Sequence, residues 1–210
     1  MENGVNCACF MIHEVNPRTL ENLIVTNLRE GRMPVLVYNL ARVLRGEEKA
    51  PADKLFSMSF DDRLMSQWNY AVPLLDKYQT PGTFYAMSPG WPGDRVNRYM
   101  TDQNVAQIPD YDEVGDHTIN HPTNPSLPQL RRINWGEYAA EISESKRRLE
   151  QLTGRKIMTF ASPQSFYDTE LLKDVASLGY IGAVATYNGD ARYYNPIQTN
   201  PLQIMRFRIS

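Results

Sequence analysis

Only two cysteines and three histidines occur among the 210 residues. Cys7 and Cys9 stand two apart in "NCACF", too close for an easy disulfide with each other, and no other cysteine exists to complete a zinc tetrad. They read as ordinary buried strand cysteines. An excess of one charge is also missing: 22 Lys and Arg against 24 Asp and Glu leave a net charge of −2. That balance argues against nucleic acid or an anionic membrane as the main partner. No apolar run reaches the roughly 18 residues that a membrane-spanning helix needs. The opening "MENGVNCACF" has neither a basic start nor an apolar signal core, so no export signal is expected in the chain as written. Low-complexity tracts and internal repeats are absent as well.

What is present suffices for a core. With 42% hydrophobic and 22% charged residues, the composition suits one globular domain over residues 1–210. Strand-like and helix-like patterns alternate along it. "ACFMI" is a short apolar run, and "PRTLENLIVTNLREG" carries Leu20, Leu23, Ile24 and Leu28 at helical spacing before Gly31. "MPVLVY" predicts a strand and "NLARVLRG" a brief helix. Residues 56–60 alternate Phe56, Met58 and Phe60 against Ser57 and Ser59, then a helix is expected over 65–78. A long polar loop with a short helix is expected from Pro89 to Asp116. Asn134 with Glu137 resembles a capping box, and Tyr138, Ile142, Leu149 and Leu152 line one helix face ending at Gly154. "RKIMTFASP", "YIGAVATY" and "LQIMRFRIS" read as strands, with a helix in "DTELLKDVASLG". Such alternation argues for parallel β/α units, with reactive groups at the C-terminal ends of strands.

One strand ends on two adjacent carboxylates, Asp61 and Asp62. Repulsion and desolvation disfavour such a pair unless a cation sits beside it. Two of the three histidines lie in "GDHTINHP", as His117 and His121. Spacing of i, i+4 predicts both imidazoles on one side of a helical turn, where two nitrogens reach one metal ion. The alternative at this point is two surface histidines before a proline turn, with Asp61 and Asp62 in a solvated turn.

These residues resemble a known family. "SFDD" and "HTINH" are similar to the T/S-F-D-D and H-S/T-x-x-H motifs of the polysaccharide deacetylases (NodB homology, carbohydrate esterase family 4). "AVPLLDKYQTPGTFYA", "YDEVGDHTINHP" and "TFASPQSFYDTELLKDVASLGYIGAVAT" resemble the family's following segments, so the likeness runs from about Cys9 to Ile209. It implies an α/β fold, a deformed (β/α)7 barrel. It also implies a hydrolase that removes N-acetyl groups from a GlcNAc-containing polysaccharide by attack of metal-bound water. Asp62, His117 and His121 would then hold a divalent metal, zinc foremost, with cobalt or nickel able to occupy the same face. Asp61 would be the general base, and the backbone N–H of Gln164 the oxyanion donor. A subset of the family, the poly-N-acetylglucosamine deacetylases, is circularly permuted. "FMIHEV" resembles its histidine motif and makes His13 the general acid. The family setting implies a cell-envelope or extracellular place.

The sequence departs from the family at several points. Arg63 stands where Gly is usual, and Ala161 where many members carry an Arg that pairs with the base. Gln164 and Ser165 replace Tyr and Gly. Arg63 either takes the missing cation's place beside Asp61 or projects to solvent, the commoner outcome for arginine. Trp91, Tyr99, Trp135 and Tyr167 are candidates for sugar stacking, with core or rim packing as the plainer role. "FASPQS" is no serine-hydrolase elbow, since G-x-S-x-G is absent, and "SKRRLE" reads as a solvated helix face. Beside the deacetylase stand a catalytically silent carbohydrate-binding domain and a non-haem iron oxygenase. The oxygenase fits least, because its first ligands usually follow H-x-D spacing.

Overall fold

The computed structural model describes residues 4–91, 97–188 and 195–209. Met1–Asn3 and part of the polar loop expected after Pro89 lie outside the described residues. The chain runs through β1 (Val5–Ile12), α1 (Pro17–Arg29), β2 (Met33–Pro34), α2 (Val37–Leu44) and β3 (Leu55–Phe60). It continues through α3 (Val72–Tyr78), β4 (Thr83–Ala86), α4 (Asp102–Ala106), β5 (Glu113–Asp116), α5 (Leu127–Ile133) and α6 (Trp135–Ala139). Then come α7 (Ser145–Thr153), β6 (Thr159–Ala161), α8 (Thr169–Ser177), β7 (Gly182–Tyr187), β8 (Ile197–Gln198) and β9 (Ile204–Ile209).

Seven of these strands pair in parallel in the closed order β1–β3–β4–β5–β6–β7–β9, with β9 returning to β1. The ring is the deformed (β/α)7 barrel that the family resemblance implies, and it accommodates the alternation of parallel β/α units. β3 and β4 are buried on both faces. On β3, Phe56, Met58 and Phe60 face outward into the layer shared with Leu20 and Ile24 of α1 and Leu75 of α3. Leu55, Cys7, Cys9, Tyr85, Val184 and Ile204 form a separate cluster inside the barrel. Ser57 and Ser59 are therefore buried as well; alternation here separates an apolar outer layer from a partly polar lumen. Cys7 and Cys9 are buried without a disulfide, their Sγ atoms 3.6 Å apart.

At the strands' N-terminal ends, α2 packs Val37, Leu40 and Ala41 onto the lumen cluster. Only Met33–Pro34 of the expected "MPVLVY" strand pairs as a strand, because helix begins at Val37. Its first amides are taken by distant side chains: Val37 N–H donates to Thr83 Oγ1 at 3.1 Å and Tyr38 N–H to Glu113 Oε2 at 2.9 Å. A cap built from another strand leaves no local signature at Leu36, which is not a capping residue. Both long outer helices contain a π-helical turn, at Gln67–Ala71 before α3 and at Ala140–Glu144 between α6 and α7. Such turns often mark functional positions, and each of these turns a polar side chain toward the same end of the barrel.

Asp112, just before β5, sits 3% exposed with one oxygen accepting Gly82 N–H at 2.8 Å and the other unpartnered. Burial pushes its pKa up to about 6 from an ordinary 3.8, against the partial help of Arg155. The folded state therefore holds a proton that the unfolded chain has already released, so stability falls as pH rises from about 4 to 6. Asp112→Asn removes this titration. Relative to wild type, its unfolding free energy should improve by up to about 3 kcal/mol between pH 4 and pH 7.5. Urea denaturation at the two pH values checks this, and a pH-independent difference would refute it.

Candidate active site

The C-terminal ends of β3, β5, β6, β9 and β1 meet around one cavity of about 420 Å³, walled by His13, Asp61, Asp62, His117, His121 and Gln164. A larger groove of about 560 Å³ beside β2 and α2 contains none of these residues. Asp61 and Asp62 follow β3, and His117 follows β5. Asp62 Oδ1 lies 3.3 Å from His117 Nε2 and 3.2 Å from His121 Nε2, and the three ligand atoms all fall within 4.8 Å of one another. Ligands about 2.0–2.1 Å from a tetrahedral zinc stand roughly 3.3 Å apart, so the spacing fits a divalent ion. The tautomer fits too. His117 Nδ1 lies 2.7 Å from the Ala161 carbonyl, which can only accept, so the Nε2 lone pair is left toward Asp62.

The electrostatics agree with a cation site. Burial opposes ionisation of Asp62, yet its contacts with His117 and His121 outweigh that and hold its carboxyl far below the usual range. Burial likewise disfavours a charged His117, but Asp62 and Asp61 raise its pKa above the ordinary value. Three imidazoles thus crowd one carboxylate, the third being His13, whose Nε2 is 3.7 Å from Asp62 Oδ2.

His117 and His121 do not share a helical turn, contrary to the i, i+4 reading. They stand on a loop folded back by left-handed residues, Thr118 (φ 70°) and His121 (φ 53°), with ring centroids 4.8 Å apart. Glu141, on the π-helical turn after α6, holds this loop. Its carboxylate is 1% exposed and accepts the amides of Ile119 and Asn120 at 2.9 Å each, plus the Asn120 side chain. Gln67, on the other π-helical turn, donates to the carbonyls of His13 and Asp61. Neither residue is predicted from the sequence; a polar side chain inside an amphipathic helix pattern is the only trace they leave.

The cation beside Asp61 is Arg206 of β9. Its Nη1 and Nη2 reach Asp61 Oδ1 and Oδ2 at 2.6 and 2.7 Å, and Nη1 also donates to Ser59 Oγ at 2.9 Å. Burial opposes both charges, but the pairing lowers the pKa of Asp61 and raises that of Arg206. Arg206 is 1% exposed and in step with Ile204 on the inward face, and that two-residue period in "IMRFRI" is the signal that marks it. Arg63 does neither of the things expected of it. It is fully buried, donating from Nε to the Met100 carbonyl at 2.7 Å, from Nη1 to Met87 at 3.0 Å and from Nη2 to Asp102 at 2.7 Å. Its φ of 54° and that of Ser165, 56°, are left-handed, so the backbone region that favours glycine is occupied at both positions without it.

His13 follows β1 and is partly exposed, with Nδ1 buried and unpartnered. Burial lowers its pKa, partly offset by Asp61 and Asp62. Gln164 (φ 52°) lies in the turn after β6, where the amides of Ser165 and Phe166 are taken by the carbonyls of Ser162 and Pro163. Tyr167 is structural: its hydroxyl accepts Ser162 N–H and donates to the Val184 carbonyl. Trp91 packs edge-on against Tyr99 at 4.4 Å, and Trp135 is 57% exposed against Tyr138 and Arg131 on the outer helices. None of these four aromatics walls the cavity.

Known proteins share parts of this sequence and this fold. YxkH of Bacillus subtilis (strain 168), named for the polysaccharide deacetylases, is 23% identical over 168 residues, which is 78% of this chain. The alignment spans 56% of that relative's length, so this chain corresponds to little more than half of it. Among solved structures, the Streptococcus pyogenes deacetylase PplD in complex with acetate superposes with a TM-score of 0.80 at 22% identity, covering 100% of this chain and 93% of that one. IcaB from Ammonifex degensii gives 0.79 at 19% identity, covering 99% and 93%. The sequence profile described as polysaccharide deacetylase matches residues 48–183, from before the Asp61–Asp62 pair to the start of β7, and the chain belongs to that family.

Proposed function

We propose that the chain is a single metal-dependent catalytic domain that hydrolyses N-acetyl groups of a GlcNAc-containing polysaccharide. The observation that carries this is the meeting of an Asp–His–His donor set with a second carboxylate, Asp61, ionised and clamped by Arg206. Asp62, His117 and His121 would hold a divalent cation, which when bound would supply Lewis acidity and lower the pKa of water. Zinc suits two imidazoles and a carboxylate, and cobalt or nickel fits the same donors. Asp61 stays ionised and takes the proton of the attacking water, while Arg206 fixes its plane. The Gln164 backbone N–H, at the cavity wall, donates to the developing oxyanion. His13, with a pKa lowered by burial, is a stronger acid than a free histidine and delivers the proton to the leaving amine. An N-acetylated polymer as substrate places the protein at the cell envelope or outside the cell.

Acetate release from peptidoglycan, chitin and poly-N-acetylglucosamine, with zinc or cobalt added, tests the reading. Binding of these polymers with no acetate from any would leave a silent carbohydrate-binding domain. Elemental analysis should find one divalent ion per wild-type chain and little in His117→Ala or His121→Ala; full occupancy in both would refute the donor set.

Asp61→Asn should keep its metal and lose about 10²–10⁴ in rate, the usual loss with a general base. Arg206→Met leaves Asp61 buried without a partner and should cost about 3–5 kcal/mol of stability. Adding Asp61→Asn to Arg206→Met should restore most of it, and a double variant no more stable than the single would show that the pair is not the cause. His13→Ala should keep its metal, lower kcat by about two orders of magnitude or more and flatten the alkaline limb of the pH profile. Near wild-type turnover in that variant would remove His13 from the mechanism.

A further inference from the structure

Two residues beyond Arg206, a second arginine reaches the same cavity. Period-two alternation puts Arg206 and Arg208 on one face of β9. The parallel register sets Arg208 beside Met11, and both side chains wall the cavity that His13 also walls. The two arginines differ in what they meet. Arg206 is buried and forked onto Asp61, whereas Arg208 is exposed and makes no ion pair or hydrogen bond among the described residues. Among the described residues the cavity offers it no anion either: the acidic ones that line it are Asp61, matched by Arg206, and Asp62, matched by the histidines. Among those residues Arg208 is thus an uncompensated positive charge at the mouth of the site.

A guanidinium presents paired donors that fit carboxylate or phosphate oxygens and holds its charge at any physiological pH. A neutral sugar would leave that charge unmatched. We propose that Arg208 binds an anionic group carried by the polysaccharide within about one sugar unit of the reacting acetamide, so that the preferred substrate is an acidic glycan. The group is a carboxylate or a phosphodiester, both of which present the oxygens that the fork recognises. The proposal deepens the deacetylase reading of the same cavity and rests on it for the reaction, though not for the binding.

The test uses three short N-acetylglucosamine oligomers. One is neutral, one carries a lactyl-ether carboxylate on the neighbouring sugar, and one carries a phosphodiester there. Acetate release is measured with zinc-loaded wild type, Arg208→Gln and Arg208→Lys, and calorimetry measures binding of the same oligomers to the metal-free proteins. Arg208 is exposed, so thermal melting should show both variants folded. Wild type should favour one anionic oligomer over the neutral one by about tenfold in kcat/KM, through KM, with high salt reducing the preference. Whichever anion gives the preference identifies the source. Arg208→Gln should bring the ratio to within about twofold, and Arg208→Lys should keep part of it. Equal use of all three oligomers, or a preference that survives Arg208→Gln, overturns the proposal. If no oligomer is hydrolysed, the deacetylase reading fails, and calorimetry still decides. Tighter binding of an anionic oligomer that is lost in Arg208→Gln supports the role of Arg208, and equal binding refutes it.

Discussion

The site depends on one buried ion pair. Asp61 and Asp62 are neighbours in sequence, and two carboxylates at the end of an apolar strand repel each other and lose hydration together. Arg206 removes half of the difficulty by forking onto both oxygens of Asp61. That leaves Asp62 as the one carboxylate facing the imidazoles. The pair also fixes geometry. Arg206 lies on β9, Asp61 follows β3, and β1 runs between those strands. A one-residue slip of β9 would turn Arg206 outward and leave two uncompensated buried charges. Charge pairing and barrel register therefore enforce each other.

Backbone strain gathers around the same end of the barrel. Among the described residues, seven that are not glycine have positive φ, and Asp62, Arg63, Thr118, His121, Gln164 and Ser165 are six of them, on the three loops that build the cavity. Left-handed conformations cost roughly 1–2 kcal/mol per residue outside glycine. Here they are held by neighbours that over-determine them: Arg63 by its buried hydrogen bonds, the histidine loop by Glu141, and Ser165 by Thr186 at 2.6 Å. Strain maintained this way is a mark of preorganised sites.

The alternation of helices and strands was legible because it is local, set by period and by caps such as Asn134 and Gly154. So was the grouping of Asp62, His117 and His121, because they belong to short motifs and the histidines are scarce. What sequence could not display were pairings across the chain. The cap of α2 comes from Glu113, 75 residues away from Tyr38. Arg63 is adjacent to the Asp pair in sequence yet turns to Met87, Met100 and Asp102, and Arg206 is 145 residues from its partner. Spacing of four suggested a helix for the histidines, but what brings their rings together is a bent loop braced from a distant π-helical turn. Proximity in sequence misled about Arg63 for the same reason: charge complementarity is satisfied in space, after the barrel has closed.

The position of β9 has a consequence for how the protein is made. Every other barrel strand precedes it, so Asp61 leaves the ribosome 145 residues before its counter-charge. At about 5–20 residues per second that gap lasts roughly 7–30 s. During this interval β1 and β7 each lack a neighbour, and Asp61 is held in place by no cation, so water rather than the lumen is its favourable surroundings. Assembly of this end of the barrel is thereby tied to completion of the ring, and an interrupted nascent chain carries Asp61, Asp62, His117 and His121 without the counter-charge that lets Asp61 be buried.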